Sequence, residues 1–155
     1  MRCVELSAAV AVLLGAACAG ETFTAKVVAI HDGDTISVLR GRETVRLRLE
    51  GIDTPELGQA FGRAAKQFTA ELAFGREATV TTHYRDRFDR PVARVRLGGE
   101  DLSLALVRAG MAWHFTRYSS DRELATAERE ARAARRGLWA EPNPTPPWLW
   151  RTNQR

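Results

Sequence analysis

Acidic side chains stand at both ends of the segment from residue 31 to residue 56. Asp32 and Asp34 lie near its start, and Asp53 and Glu56 lie at its end. The basic, alternating stretch between them is typical of two strands joined by a turn, which would return the chain to its starting edge. Carboxylates gathered at one edge repel one another unless a cation or basic groups offset them. Oxygen ligands suit Ca²⁺ or Mg²⁺, and the segment therefore predicts a site for a hard cation, with calcium as the best fit.

Each part of this segment also has a plain structural explanation. The Asp-Gly pair at 32–33 is a common hairpin turn, and the Thr-Pro-Glu run at 54–56 can simply end a strand. The histidines are scattered without the spacing of a zinc site, so a structural role is the simpler interpretation of His31, His83 and His114. The sequence contains no glycine-rich phosphate loop with its lysine and no serine-centred nucleophile motif.

Five short strands and three helices are predicted to position these residues. Apolar and β-branched runs bounded by turn residues predict strands at 22–30, 35–39, 44–50, 76–84 and 92–97, and helical periodicity with capping residues predicts helices at 61–72, 101–109 and 122–136. Side chains alternate across a strand, so Arg48 should point away from the face that buries Leu47 and Leu49. Arg48 is then expected to be free to meet an anion.

Composition predicts one domain between two unlike ends. The chain has 155 residues, 45% of them hydrophobic, and a formal charge of +4 that suits an anionic partner without deciding one.

Residues 1–19 have the pattern of a secretory signal peptide, with lipid anchoring at Cys18 as the less favoured alternative and no stable membrane span expected. Both cysteines fall there, so the mature domain would have no disulfide. The proline-rich tail, 141–155, is predicted to be extended and held on the domain by Trp148 and Trp150.

Several motifs occur together in one order along the chain. They are DGDT, RLRLEGIDTPE, DRFDR, ALVRAGMAW and a charged helix ending in RRGLW. In this combination the chain resembles the staphylococcal nuclease (thermonuclease) family over about residues 22–139. The resemblance implies an α+β fold with a five-stranded OB-type β-barrel and three α-helices, spanning 20–140, which matches the order of the predicted elements.

The resemblance also implies a metal site. Asp34 and Asp53 match the calcium-binding aspartates of the family, the backbone carbonyl of Thr54 would be a further ligand, and Asp32 would lie nearby in a supporting position. The implied cofactor is Ca²⁺.

Three residues match the catalytic positions of the family. Glu56 corresponds to the glutamate credited with activating or orienting the attacking water, and Arg48 and Arg90 correspond to the phosphate-binding arginines. Two guanidiniums and a divalent cation could neutralise the charge that builds on a phosphodiester under attack.

The substrate-binding positions match less completely. Arg87, Phe88 and Tyr118 are expected to contact nucleic acid, but Phe88 replaces a tyrosine of the family and Asp89 replaces a glycine. Thr116 stands where the best-known member has a substrate-facing tyrosine. These departures put the conformation of the 86–90 loop and the fit of the substrate in question.

The resemblance implies a secreted or periplasmic, monomeric, calcium-dependent endonuclease without an obligate protein partner. Its substrates would be DNA and RNA, cleaved with little sequence preference to leave 3′-phosphate ends. The first alternative is a noncatalytic nucleic-acid-binding OB-fold module, which is disfavoured because the expected catalytic and metal-binding side chains are all present. The second alternative is a noncatalytic cell-envelope interaction protein, which depends only on the leader and the aromatic tail.

Overall fold

Eight strands and four α-helices make up residues 20–154, the part of the chain that the computed structural model describes. The strands are β1 (Thr22–Ile30), β2 (Thr35–Arg40), β3 (Glu43–Leu49), β4 (Ile52–Asp53), β5 (Glu77–Arg85), β6 (Pro91–Leu97), β7 (Glu100–Asp101) and β8 (Trp113–His114). The helices are α1 (Gly62–Ala73), α2 (Leu102–Arg108), α3 (Arg122–Ala133) and α4 (Pro147–Asn153), with a short 3-10 helix at Gly137–Ala140. The predicted signal peptide and both cysteines lie outside the described residues.

Five of the strands close into a mixed barrel. Antiparallel pairings join them in the order β3-β2-β1-β5-β6, and a parallel pairing of β3 with β6 closes the ring, with Arg48 opposite Val92 and Leu49 opposite Ala93. β7 extends the sheet beyond β6, and β4 pairs with β8 in a separate small sheet. This architecture confirms the predicted α+β fold with a five-stranded OB-type barrel.

The barrel is filled by side chains from alternate positions of its strands. Val27, Val38, Leu47, Val80 and Val95 are fully buried, with no exposed surface. Burial of such a side chain contributes about 1.5–3 kcal/mol of transfer free energy. β-Branched residues suit this position because their stiff side chains pack well on a pleated surface. The core thus gives the strand ends a fixed frame.

The helices differ from the prediction in number and length. There are four helices rather than three, and α3 ends at Ala133 rather than at Arg136. The early end follows from Arg135, which adopts a left-handed conformation with φ of 52° and cannot continue a right-handed helix. No helix within residues 20–154 is long and apolar enough to cross a membrane.

The fourth helix lies in the tail, where an extended chain was predicted. Pro147 is its first residue, and the remaining residues to Asn153 contain no further proline. Proline is well suited to the first turn of a helix because an N–H group at that position would have no partner within the helix. The prolines therefore confine the extended part of the tail to the residues before α4.

Candidate active site

Asp34 is positioned by a tight loop between β1 and β2. Its backbone N–H donates to Asp32 Oδ1 at 3.1 Å, and the carbonyl of Gly33 accepts a 2.7 Å hydrogen bond from the buried Thr69 hydroxyl on α1. A Cβ on Gly33 would lie only 2.7–2.8 Å from the side chain of Thr54. Glycine is required here because the loop and Thr54 approach each other so closely.

Thr54 holds the Asp34 carboxylate from the opposite side. Its backbone N–H and its hydroxyl both donate to Asp34 Oδ2, at 2.7 and 2.8 Å. Both residues are buried, so these bonds are shielded from water. Asp34 and Thr54, which were predicted as metal ligands, are thus brought into direct contact.

Arg48 joins the two aspartates that were predicted to bind calcium. Nη1 forms an ion pair with the Asp34 carboxylate, and Nη2 donates to Asp53 Oδ1 at 2.9 Å and to the Ile52 carbonyl at 3.1 Å. Its side chain is only 14% exposed, and burial lowers the pKa of its guanidinium while the charges of Asp53 and Asp32 oppose that shift. The expectation that Arg48 is free to meet an anion is wrong, because it is already paired with carboxylates of its own chain.

The backbone of Glu56 is held by Gln59 in a short loop before α1. Gln59 donates its backbone N–H to the Glu56 carbonyl at 2.8 Å and accepts the Glu56 N–H on its side-chain oxygen at 3.2 Å. A Cβ on Gly62 would lie 1.8 Å from the same Glu56 carbonyl, so the start of α1 packs directly against this loop. The Glu56 carboxylate remains 40% exposed and can be reached by water.

Arg151, on α4, contacts the same carboxylates and was missed by the sequence analysis. Its Nη2 donates to Asp53 Oδ2 at 2.6 Å, and its Nη1 lies 2.6 Å from Glu56 Oε1 and 3.3 Å from Asp53 Oδ1. Burial lowers the pKa of Arg151, but the hydrogen bonds to the two carboxylates outweigh it and the net shift is upward. No local motif indicates such a contact, since Arg151 is 98 residues from Asp53 in the chain.

Arg90 is held by the loop that joins β5 to β6. Asp86 accepts the backbone N–H groups of Phe88 and Arg90 on Oδ1, at 2.9 and 3.0 Å, and Arg90 Nε on Oδ2 at 2.8 Å. Burial alone would raise the pKa of Asp86, but these hydrogen bonds outweigh it and lower that pKa. Asp89 adopts φ of 58°, a left-handed conformation that aspartate tolerates better than most residues, so it can take the place of the family's glycine.

The charge of Arg90 reaches the centre of the site. It contributes to the lowered pKa of Arg48, and Val92, two residues after Arg90, pairs directly with Arg48 across the barrel closure. The parallel pairing of β3 with β6 therefore places the two predicted phosphate-binding arginines at the same end of the barrel.

The predicted substrate-binding aromatics are exposed. Phe88 is 64% exposed, with the guanidiniums of Arg87 and Arg90 at 4.7 and 5.3 Å from its ring centroid. Tyr118 is 59% exposed and packs edge-on against Phe115 at a centroid distance of 5.0 Å. Both rings keep accessible surface on which a base could stack.

Each of the three histidines has a side-chain partner within hydrogen-bonding distance. His31 lies 2.8 Å from a serine hydroxyl, His83 lies 2.6 Å from Glu50, and His114 lies 3.1 Å from a serine hydroxyl. Within residues 20–154, no group of three His, Cys, Asp or Glu side chains is arranged to hold a metal ion. The predicted ligand set instead combines two carboxylates with one backbone carbonyl.

Comparison with known proteins assigns the chain to a family. Residues 46–141 match the family model described as staphylococcal nuclease homologue. An uncharacterized endonuclease of Escherichia coli O157:H7 is 42% identical over 127 residues, which cover 81% of this chain and 83% of the relative. A micrococcal nuclease of Shigella flexneri is 42% identical over 155 residues, covering 93% and 89%, and an uncharacterized endonuclease of Haemophilus influenzae is 36% identical over 140 residues, covering 90% and 79%. The chain therefore belongs to the staphylococcal nuclease family, as the resemblance in its sequence predicted.

Proposed function

We propose that this protein is a calcium-dependent endonuclease that hydrolyses DNA and RNA with little sequence preference and leaves 3′-phosphate ends. Its family makes it a nuclease, and the finer assignment depends on the site. The observation that carries it is the continuous network that links Asp34, Arg48 and Asp53 and extends through Arg151 to Glu56. The carboxylates and a guanidinium suited to phosphate chemistry thus meet at one end of the barrel.

The donor set fits a hard divalent cation. A single guanidinium, that of Arg48, contacts both Asp34 and Asp53, so their oxygens converge within the width of one small group, and a cation bound there would replace these Arg48 contacts. Both side chains are almost completely buried and offer only oxygen atoms, and the carbonyl of Thr54 would add a third oxygen of the kind Ca²⁺ prefers. When bound, the cation would supply charge stabilisation to the phosphodiester as a Lewis acid.

The arginines are proposed to bind the phosphate under attack. Hydrolysis to a 3′-phosphate forms a bond from phosphorus to the water oxygen and breaks the bond from phosphorus to the 5′-oxygen, and negative charge grows on the nonbridging oxygens. Arg90 can direct the guanidinium N–H groups that it does not use for Asp86 at these oxygens. Arg48 could do the same once a bound cation takes over Asp34 and Asp53, and both arginines would stay charged throughout. The buried contacts of Arg48 hold its guanidinium at this end of the barrel, next to where the phosphate would lie.

Glu56 is proposed to orient the attacking water and to accept its proton. Its half-exposed carboxylate lies beside the buried Asp53, since Arg151 contacts both. Solvent can therefore reach Glu56 at the edge of the proposed metal site, and a carboxylate within hydrogen-bond reach of a water is a competent general base.

Recognition through the sugar-phosphate backbone accounts for the proposed low sequence preference. Phosphate contacts carry no base information, and binding should weaken as salt rises. Phe88 and Tyr118 would favour single-stranded regions by stacking, and Arg87 would add charge beside Phe88. The leader at residues 1–19 supports secretion or a periplasmic location, with an anchor at Cys18 as the less favoured alternative.

Cleavage assays on the chain from residue 20 onward test this proposal. Plasmid DNA and RNA are incubated with calcium or with a chelator, beside Glu56→Gln and a matched Glu130→Gln control at an exposed position of α3. Calcium should produce cleavage in the parent and in the control, and Glu56→Gln should lose most of it. Oligonucleotide binding without calcium-dependent cleavage would favour the noncatalytic module, and equal rates for Glu56→Gln and the parent would remove Glu56 from the mechanism.

A further inference from the structure

The C-terminal helix α4 is docked over the proposed site by three kinds of contact. The side-chain amide of Gln59, beside Glu56, donates to the carbonyl of Thr145 just before the helix. The Trp148 ring stacks on Phe115 at 5.2 Å with an interplanar angle of 7°. Arg151 forms the ion pairs with Asp53 and Glu56. The Arg151 ion pairs lie at residues of the proposed site and the Gln59 contact lies beside one of them, so the tail and the site are physically coupled.

Arg151 uses the oxygens that a metal ion would need. Its guanidinium contacts both oxygens of Asp53 while Arg48 also donates to Oδ1, so both oxygens of that carboxylate accept hydrogen bonds. A cation coordinated by Asp53 needs an oxygen that is not directed at a donor, and it would also lie beside the positive charge of Arg151. Simultaneous occupation is therefore unfavourable for both geometric and electrostatic reasons.

The charge of the site favours replacement of Arg151 by the cation over binding of both together. The carboxylates in direct contact with Arg48 or Arg151, which are those of Asp34, Asp53 and Glu56, carry three negative charges, and Arg48 contributes one positive charge. Asp32 and Arg90, whose charges also act on Arg48, offset each other in this count. The remainder of −2 matches one divalent cation, whereas Arg151 neutralises only half of it. A divalent cation is thus the stronger counter-charge for this set of carboxylates.

The helix itself is suited to detachment. It has seven residues, too few to be stable in isolation, so its helical form depends on docking. Leu149 is half exposed and Pro147 is the one fully buried residue of α4, so the main apolar contact to be released is that of Trp148 with Phe115 and Trp113. Arg151 is 40% exposed, so its ion pairs are partly screened and can be exchanged at modest cost.

We propose that Arg151 is an internal competitor for the divalent cation, and that cation binding at Asp53 releases α4 from the site. The inference depends on the proposed function, because it takes Asp53 as a metal ligand. At low calcium the docked tail covers Asp53 and Glu56 and restrains the nuclease. At higher calcium Arg151 leaves, both carboxylates become available, and α4 loses its ordered helix.

Calcium titration by calorimetry tests the competition with calcium chloride alone, on the chain from residue 20 onward. Arg151→Gln should bind calcium about five- to tenfold more tightly than the parent, the range expected when a partly screened bidentate ion pair no longer competes. The matched control is Arg129→Gln, which removes the same charge from an exposed arginine on α3 whose guanidinium donates to the Thr126 hydroxyl. Its dissociation constant should equal that of the parent.

Hydrogen exchange tests the release of the helix. Amides of residues 147–153 in the parent should exchange several-fold faster with saturating calcium than with chelator, while the strands of the barrel keep their protection. If the amides of α4 exchange equally slowly in the calcium-bound protein, Arg151 has stayed on Asp53 and the proposal is overturned.

The outcomes separate this inference from the proposed function. Equal calcium affinities for the parent and Arg151→Gln, with cleavage intact, reject the competition and leave the nuclease assignment standing. Failure of both proteins to bind calcium rejects the calcium site, and the competition with it.

Discussion

Replacing Thr69 with valine should weaken the loop that carries Asp34 without changing the shape of the core. The Thr69 side chain is fully buried, and its hydroxyl donates to the Gly33 carbonyl at 2.7 Å. Valine fills the same volume but leaves that carbonyl without this donor, at a cost of about 1–3 kcal/mol that the extra buried methyl offsets by about 0.8 kcal/mol. The difference is a net loss of about 0.2–2.2 kcal/mol in the free energy of unfolding, and we expect a value near its middle, about 1.2 kcal/mol.

Urea unfolding and plasmid cleavage measure the two consequences. With a slope of about 2 kcal/mol/M, the unfolding midpoint should fall by about 0.6 M. Calcium-dependent kcat/KM should fall by about tenfold, since displacement of a catalytic group by a fraction of an ångström is costly. Thr126→Val, at an exposed position of α3, is the control and should match the parent in both assays. A midpoint for Thr69→Val within about 0.2 M of the control would refute the role assigned to this hydrogen bond.

Three further predictions address the phosphate clamp and its loop. Arg48→Lys should lower kcat/KM on plasmid DNA by about 10²–10³-fold at saturating calcium, because an ammonium cannot bridge Asp34 and Asp53 or present a planar pair of donors; activity within threefold of the parent would contradict this. Phe88→Ala should weaken binding of a short single-stranded oligonucleotide by about 1–3 kcal/mol with no change in the urea midpoint, and equal affinities would exclude stacking on this ring. The pKa of Asp86 lies below its ordinary 3.8 in the folded chain, so its carboxylate contributes stability that is present above that value and is lost as the pH falls through the lower, folded-state pKa. The difference in unfolding free energy between the parent and Asp86→Asn should therefore shrink on acidification, and a difference that is constant across the acid range would count against it.

The barrel could be predicted because its signals are local. Alternating apolar residues and turn residues mark each strand, and the predicted bounds of β1 and β2 differ from the observed ones by at most one residue. The family resemblance implied a five-stranded OB-type barrel, but the parallel pairing of β3 with β6 that closes it was not predicted. The end of α3 was misplaced because a left-handed arginine, Arg135, carries no sequence signal of its own.

The tail could not be predicted for a different reason. Its four prolines favour an extended chain, and the residues before Pro147 do not form a helix. The helix that begins at Pro147 depends on docking, because Trp148 packs against Phe115 and Arg151 reaches a carboxylate 98 residues away. Contacts over such distances depend on the finished fold, and no spacing within the tail encodes them.

The parallel pairing of β3 with β6, which closes the barrel, has a consequence for folding. Arg48 lies on one side of it, and Arg90 enters the site from the other side, two residues before the partner of Arg48. Pairings between distant parts of a chain form late, because the intervening loop must be closed first. A nascent chain that has made β1, β2 and β3 has only one of the two arginines in place. Catalysis would then begin only after β3 and β6 have paired, so that the appearance of activity during refolding would time this pairing.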